Sequence, residues 1–197
     1  MGRGASRGTA LTNRLGGGYD ADVELEIRTP RLVLRPFRPG DESQLVAQAN
    51  DRRVWLHLRD RFPHPYTPAD AEQWITHARS ASPLTDLAVT LDDAVVGGVG
   101  IERMSDVTRF TAELGYWLGA AFWGQGYASE AVGAFVDWAF ATFPLERLQA
   151  YVFAPNASSR RVLEKCGFQL EGVSRRSVFK DGRFLDSLLF ARLRDEA

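Results

Sequence analysis

Between residues 111 and 153 the chain passes from a β-prone apolar stretch through a glycine-spaced turn into an amphipathic helix, then into a second apolar stretch. That order restricts the fold more than any other feature. Residues 111–118 read as a central strand, and Gly124-Gln125-Gly126-Tyr127-Ala128 follows it. Beyond the turn, Val132, Phe135, Val136, Ala139 and Phe140 recur at the helical period and make one apolar face. Residues 148–153 form the next strand, and because a full helix intervenes, the two strands can run parallel.

The rest of the chain has a different character. Residues 32–37 are β-rich and are stopped by Pro36 and Pro39, after which Asp41 is placed to cap a short helix bearing Leu45, Val46 and Ala49. Thr67-Pro68-Ala69-Asp70 is a stronger helix start, combining a capping threonine, proline at the first helical position and an acid at capping-box spacing. Residues 87–91 and 95–101 flank Asp92-Asp93-Ala94 and predict an antiparallel hairpin. A short helix over residues 158–165 ends at Gly167, and strands follow at 168–173, 175–179 and 185–193, with Asp181-Gly182 as a tight turn. No internal repeat is present. The pattern predicts an α/β (α+β) fold, a βαβ unit embedded in a mostly antiparallel sheet.

Charge and cysteine content narrow the function classes. With 24 Lys and Arg against 25 Asp and Glu, the net charge is −1, so there is no global field to hold a nucleic acid. Cys166 is the sole cysteine, which excludes an intrachain disulfide and a cysteine-based metal site and fits a reducing cytoplasmic setting. His57, His64 and His77 lack ligand spacing, so no metal is expected. No stretch is long enough to span a membrane. Residues 1–24 carry Arg3, Arg7, Arg14 and Gly16 to Gly18 without an apolar run; they are expected to form a disordered extension, with one domain over residues 25–197.

The glycine-spaced turn is where chemistry is expected. A strand turning into a helix presents free backbone N–H groups, and the helix N-terminus adds partial positive charge, so a pyrophosphate can be held without basic side chains. Gly124 and Gly126 allow close approach, and Ala128 keeps the first turn slim. The same glycines also suit a plain structural turn. Neither a Rossmann G-x-G-x-x-G nor a Walker A Gly-Lys-Ser/Thr pattern is present.

Two runs together resemble a known family. Glu113-Leu114-Gly115-Tyr116-Trp117-Leu118 followed by Trp123-Gly124-Gln125-Gly126-Tyr127-Ala128-Ser129-Glu130-Ala131 resembles the acyl-CoA-binding motif of the GNAT superfamily of N-acetyltransferases. The run from Asn156 through Ser159, Arg160, Arg161, Leu163 and Glu164 to Gly167-Phe168 resembles the N-x-x-S-x-x-(V/L)-x-(E/K)-(K/R)-x-G-F signature of its RimJ/RimL-like branch. Arg28-Thr29-Pro30-Arg31-Leu32 and the loop Arg61 to Thr67 extend the likeness to about residues 26–193. Trp123 departs from the wider motif, which has Gln or Arg there.

The resemblance implies a GNAT fold: a mixed, mostly antiparallel sheet with a central splayed parallel strand pair flanked by helices. It implies acetyl-CoA as the acetyl donor and a primary amine as acceptor. Trp117, Leu118, Trp123, Gly124, Gln125, Gly126, Tyr127, Ala128, Ser129, Asn156 and Arg160 would then bind the cofactor. Arg161 is a further candidate for a CoA phosphate. A backbone N–H near Leu118 would stabilise the oxyanion. Ser159 would protonate the departing thiolate, or else satisfy its own helix start. Glu113 is the candidate base, ahead of Glu102, unless it faces solvent. Trp55, Phe62, Tyr66 and His64 border the expected acceptor pocket or pack on the core, and Cys166 reads as a small buried residue rather than a nucleophile.

The acceptor stays open between a protein N-terminal α-amine, as the branch implies, and a small molecule such as an amino acid, polyamine or antibiotic. A non-catalytic acyl-CoA-binding module and a homodimeric assembly are also compatible with the sequence.

Overall fold

The computed structural model describes residues 25–196; the extension expected over residues 1–24 lies outside them. Eight strands form one sheet: β1 (Ile27–Arg28), β2 (Val33–Arg35), β3 (Asp86–Leu91), β4 (Ala94–Arg103), β5 (Thr111–Leu118), β6 (Arg147–Phe153), β7 (Gln169–Lys180) and β8 (Arg183–Leu193). Their spatial order is β1-β2-β3-β4-β5-β6-β8-β7, and among the described residues only β5 and β6 are parallel. Five helices accompany them: α1 (Glu42–Ala49), α2 (Arg52–Trp55), α3 (Pro68–Ser80), α4 (Tyr127–Thr142) and α5 (Ala157–Lys165). The mixed, mostly antiparallel α/β arrangement expected from the sequence is the one observed. Among the described residues no helix is long and apolar enough to cross a membrane.

Local chemistry explains most boundaries. Thr67 and Asp70 close the capping box at α3, with Thr67 N donating to Asp70 Oδ2 at 2.7 Å and Asp70 N to Thr67 Oγ1 at 3.3 Å. Asp92 and Asp93 adopt φ of 49° and 64°, the left-handed geometry that a two-residue hairpin between β3 and β4 requires. Asp41 occupies the N-cap position of α1, but its carboxylate does not cap: it accepts 2.8 and 2.9 Å bonds from the Arg35 guanidinium. A buried cation needed that partner more than the helix did. The two strands expected at 168–173 and 175–179 are one strand, β7, whose register slips between Ser174 and Val178. Arg176, at φ 52°, forms the bulge there and donates its N–H to Asp186 Oδ1 at 2.7 Å.

Helices cover both faces of the sheet. On one, Val132, Phe135, Val136 and Ala139 of α4 are fully buried with Leu114 and Leu148. On the other, Leu45 of α1 and Ala71 and Ile75 of α3 pack with Phe37 and Val95, and Trp117 joins that cluster. Burying each large apolar side chain contributes about 1.5–3 kcal/mol, so both faces hold the sheet firmly. Side chains alternate along β5. Leu114, Tyr116 and Leu118 therefore face α4, while Glu113, Gly115 and Trp117 face the side of α1 and α3.

Candidate active site

The parallel pair opens almost at once. β5 and β6 pair at Thr111 with Arg147, Ala112 with Leu148 and Glu113 with Gln149, and the register ends there although both strands continue. β5 meanwhile stays paired with β4 as far as Leu118 opposite Gly97. Gly119 N donates to Val96 O at 2.8 Å, so odd positions at this end of β5 bond to β4. Alternation then turns the backbone groups of Leu114, Tyr116 and Leu118 toward the gap left by β6. The indole N–H of Trp123 donates to the Leu118 carbonyl at 2.8 Å, which leaves the Leu118 amide as the group aimed into the opening.

Beyond that opening lies the glycine turn. Gly124 and Gly126 have φ of +75° and +84°, and Gly126 is the N-cap of α4 with no side-chain cap bond. These left-handed positions suit glycine, and the first N–H groups of α4 lack an intrahelical acceptor. Gln125 turns its side chain back, its Nε2 donating to Ala121 O at 3.0 Å, so at this position the backbone rather than the side chain is presented. The turn fits a diphosphate: its conformation needs glycine, and its donors are uncapped.

An arginine stands beside this turn that sequence reasoning had not placed there. Arg31 donates from Nη1 to Gln125 O at 3.0 Å and from Nε to Glu130 Oε2 at 2.7 Å, and its guanidinium lies 4.4 Å from the centroid of Tyr127. Burial alone pushes the Glu130 carboxyl up, but bonds from the Thr29 hydroxyl and from the Arg31 amide and guanidinium together hold it below its ordinary value. Arg31 and Glu130 thus brace the first turn of α4 against the segment ahead of β2.

On the α5 side, Asn156 caps its own helix, its Oδ1 accepting from Ser159 N at 3.0 Å. The Ser159 hydroxyl and the Tyr116 hydroxyl are 2.7 Å apart, which ties α5 to β5 across the opening. Tyr116 was not singled out in the sequence. Its phenol is pushed well up by burial, with the Ser159 bond acting in the opposite direction, so it keeps its proton at neutral pH. Tyr116 Oη is also 3.1 Å from Ser159 O. If the phenolic proton goes to Ser159 Oγ, the serine's own proton is free for a third group. Arg160 pairs with Glu164 one turn on at 2.8 Å. Cys166 is 8% exposed, and burial pushes its thiol up to about 11, so it is a neutral packing residue.

The opposite face of β5 holds the acids. Glu113 contacts the Arg59 guanidinium, while Glu102, its cross-strand partner on β4, pairs with Arg61 at 3.1 Å. Burial raises the Glu113 carboxyl above its ordinary value, and Arg59 works against that rise. Gly115, though in a central strand, is exposed, and a Cβ built on it would meet no atom within 4 Å. A trough therefore runs over Gly115 beside Glu113. Phe62 packs on Trp117 and Tyr66 at ring separations of 5.3 and 5.0 Å along its wall. Trp55 stacks on His64, and His57, whose imidazole burial pushes below its ordinary value, approaches Trp123 at 6.2 Å.

Comparison with known proteins agrees with this geometry. Residues 31–169 match the family model described as an acetyltransferase (GNAT) domain. The chain is 38% identical over 171 residues to the N-acetyltransferase p20 of Bacillus licheniformis, an alignment covering 85% of this chain and 96% of that one. It is 31% identical over 104 residues to a ribosomal-protein-serine acetyltransferase of Escherichia coli, covering 53% and 58% of the two chains. Mycobacterium smegmatis RimJ, solved with a CoA disulfide, superposes with a TM-score of 0.73 at 26% identity over 88% of each chain. The chain belongs to the GNAT family of acetyltransferases.

Proposed function

We propose that this protein transfers an acetyl group from acetyl-CoA to a primary amine by direct attack in a ternary complex, and that the amine is a protein N-terminal α-amine. The supporting observation is the parting of β5 from β6 after Glu113, which leads to the uncapped glycine turn at α4 on one side and the Glu113 trough on the other. The amide-rich pantetheine arm adds to the free edge of β5 as a further strand would. Trp117, Leu118 and Trp123 flank that arm, Gly124 to Ser129 receive the pyrophosphate, and Asn156 and Arg160 lie at the α5 rim. The likeness to a ribosomal-protein-serine acetyltransferase supports the protein acceptor.

In the reaction the amine nitrogen loses a proton to Glu113, directly or through water, and attacks the thioester carbonyl. The Leu118 amide receives the developing oxyanion. The C–S bond breaks as the carbonyl re-forms, the nitrogen sheds its second proton to water, and the thiolate takes a proton from Ser159, which Tyr116 resupplies through their hydrogen bond and itself recovers from solvent. The test is release of free CoA thiol from acetyl-CoA across a panel of peptide N-termini, amino acids, polyamines and aminoglycosides. Release with peptides alone supports the reading; release confined to a small amine moves the acceptor, and tight CoA binding with no release from any amine refutes catalysis.

The Ser159 role makes a separable prediction. Ser159→Ala is expected to lower kcat by about a hundredfold, the low end of the range of acid–base assistance, while CoA affinity changes less than about threefold. Tyr116→Phe should reproduce the kcat loss. An unchanged kcat in the serine variant, read by thiol release, removes it from the mechanism.

A further inference from the structure

The Glu113 carboxylate holds a cation of the protein's own. Arg59 reaches it from the segment after α2, across 54 residues of sequence. We propose that Arg59 is a positioning residue whose guanidinium occupies the place on Glu113 that the ammonium form of the incoming amine takes, so that acceptor binding and the Arg59 contact exclude one another. This rests on the reading of Glu113 as the group that meets the acceptor.

Three observations carry it. Glu113 lies beside open space over the exposed Gly115, from which a substrate can approach it. Arg59 is 44% exposed and Glu113 20% exposed, so the pair is partly solvated and separable at little cost. The segment carrying Arg59 is fixed by other contacts. Lys180 Nζ, 1% exposed, bonds Asp60 at 2.7 Å and lies 3.6 Å from the Trp55 ring centroid, and Arg52 pairs with Asp181 at 2.7 Å. Arg59 can therefore swing out without the segment leaving the β7–β8 turn.

Displacement would also change the acid it leaves behind. The charged groups facing Glu113 are Arg59 and Arg61 from the loop and Glu102 from β4, with the neutral Gln149 on β6. Arg59 favours the ionised carboxylate, so its departure makes Glu113 a better proton acceptor. The arriving ammonium then gives up one N–H proton to Glu113 as an O–H bond forms, and the neutral amine is left to attack the thioester. Amines that reach the site as cations are selected because only a cation replaces the guanidinium's charge.

The test needs no natural acceptor. Ethylammonium is titrated into protein labelled with carbon-13 at the glutamate carboxyls, and the Glu113 signal is followed by NMR. Arg59→Met is expected to bind ethylammonium roughly two- to fivefold more tightly than the wild type, matching the cost of breaking an exposed pair. Its Glu113 signal should also titrate at higher pH, and Arg59→Lys should restore both properties. A merely structural Arg59 would move thermal stability, and its loss would raise the Glu113 titration through the missing charge alone, but it would leave the ethylammonium affinity unchanged. Equal affinity in wild type and Arg59→Met overturns the proposal, as does tight binding that survives in the Arg59→Met, Glu113→Gln double variant; Arg59→Gln carries the same test should the Met variant not fold. Failure of the base reading shows elsewhere, as undiminished turnover by Glu113→Gln, and leaves the ethylammonium difference intact.

Discussion

Gly126→Val is expected to reduce affinity for CoA by about a hundredfold or more while the protein stays folded. Gly126 caps α4 at φ +84°, a region that a β-branched residue enters only at a cost of order 1–3 kcal/mol. Relieving that strain rotates the peptide and turns away amides that would receive phosphate oxygens, each such bond contributing about 1.5–3 kcal/mol. Loss of two such bonds, about 3–6 kcal/mol, exceeds the roughly 2.8 kcal/mol that a hundredfold change requires. A new side chain has a second effect, since its Cβ would already touch Arg31 Nη2 at 3.4 Å and the atoms beyond it take up space beside the arginine that braces the turn. Gly126→Asn separates the two, because asparagine tolerates the left-handed region but still brings a Cβ. Calorimetric titration with CoA decides between them: loss in Val with retention in Asn assigns the effect to backbone geometry, loss in both assigns it to space, and unchanged affinity in both removes the turn from cofactor binding.

What could be read from the sequence was what is local. The α4 face, the capping box at Thr67 and the Asp92-Asp93 turn depend on residues within a few positions of one another, so periodicity and turn chemistry reveal them. The opening between β5 and β6 has no local signature, and only the likeness of two motifs to a family implied it. Tyr116, Arg31 and Arg59 escaped as site residues for a related reason. Their partners lie 43, 94 and 54 residues away, and a tyrosine in a strand or an arginine in a loop carries no mark of what it will meet. Arg31 also changes the electrostatic picture drawn from the glycines alone: the turn is braced by a guanidinium, though one whose charge Glu130 largely balances. Asp41 shows the converse error, a good capping residue diverted by the buried Arg35.

Glu113→Gln should lower kcat/KM by roughly 10²- to 10⁴-fold, the contribution of a positioned general base, with thermal stability nearly unchanged. The substitution keeps the shape of the side chain and removes its capacity to take a proton. The Arg59 contact it weakens is partly solvated and worth little to the fold. The wild-type pH profile supplies the independent check. Burial holds the free-enzyme carboxyl above its ordinary value, with Arg59 opposing, so activity that needs the ionised form is present above that raised value and falls as pH drops through it. In the glutamine variant this acid limb should vanish while the limb belonging to the amine's own ionisation remains, because only one of the two titrating groups has been removed. A glutamine variant that keeps both the wild-type rate and the acid limb would mean that the amine loses its proton elsewhere, and the trough over Gly115 would then be a binding surface without a base.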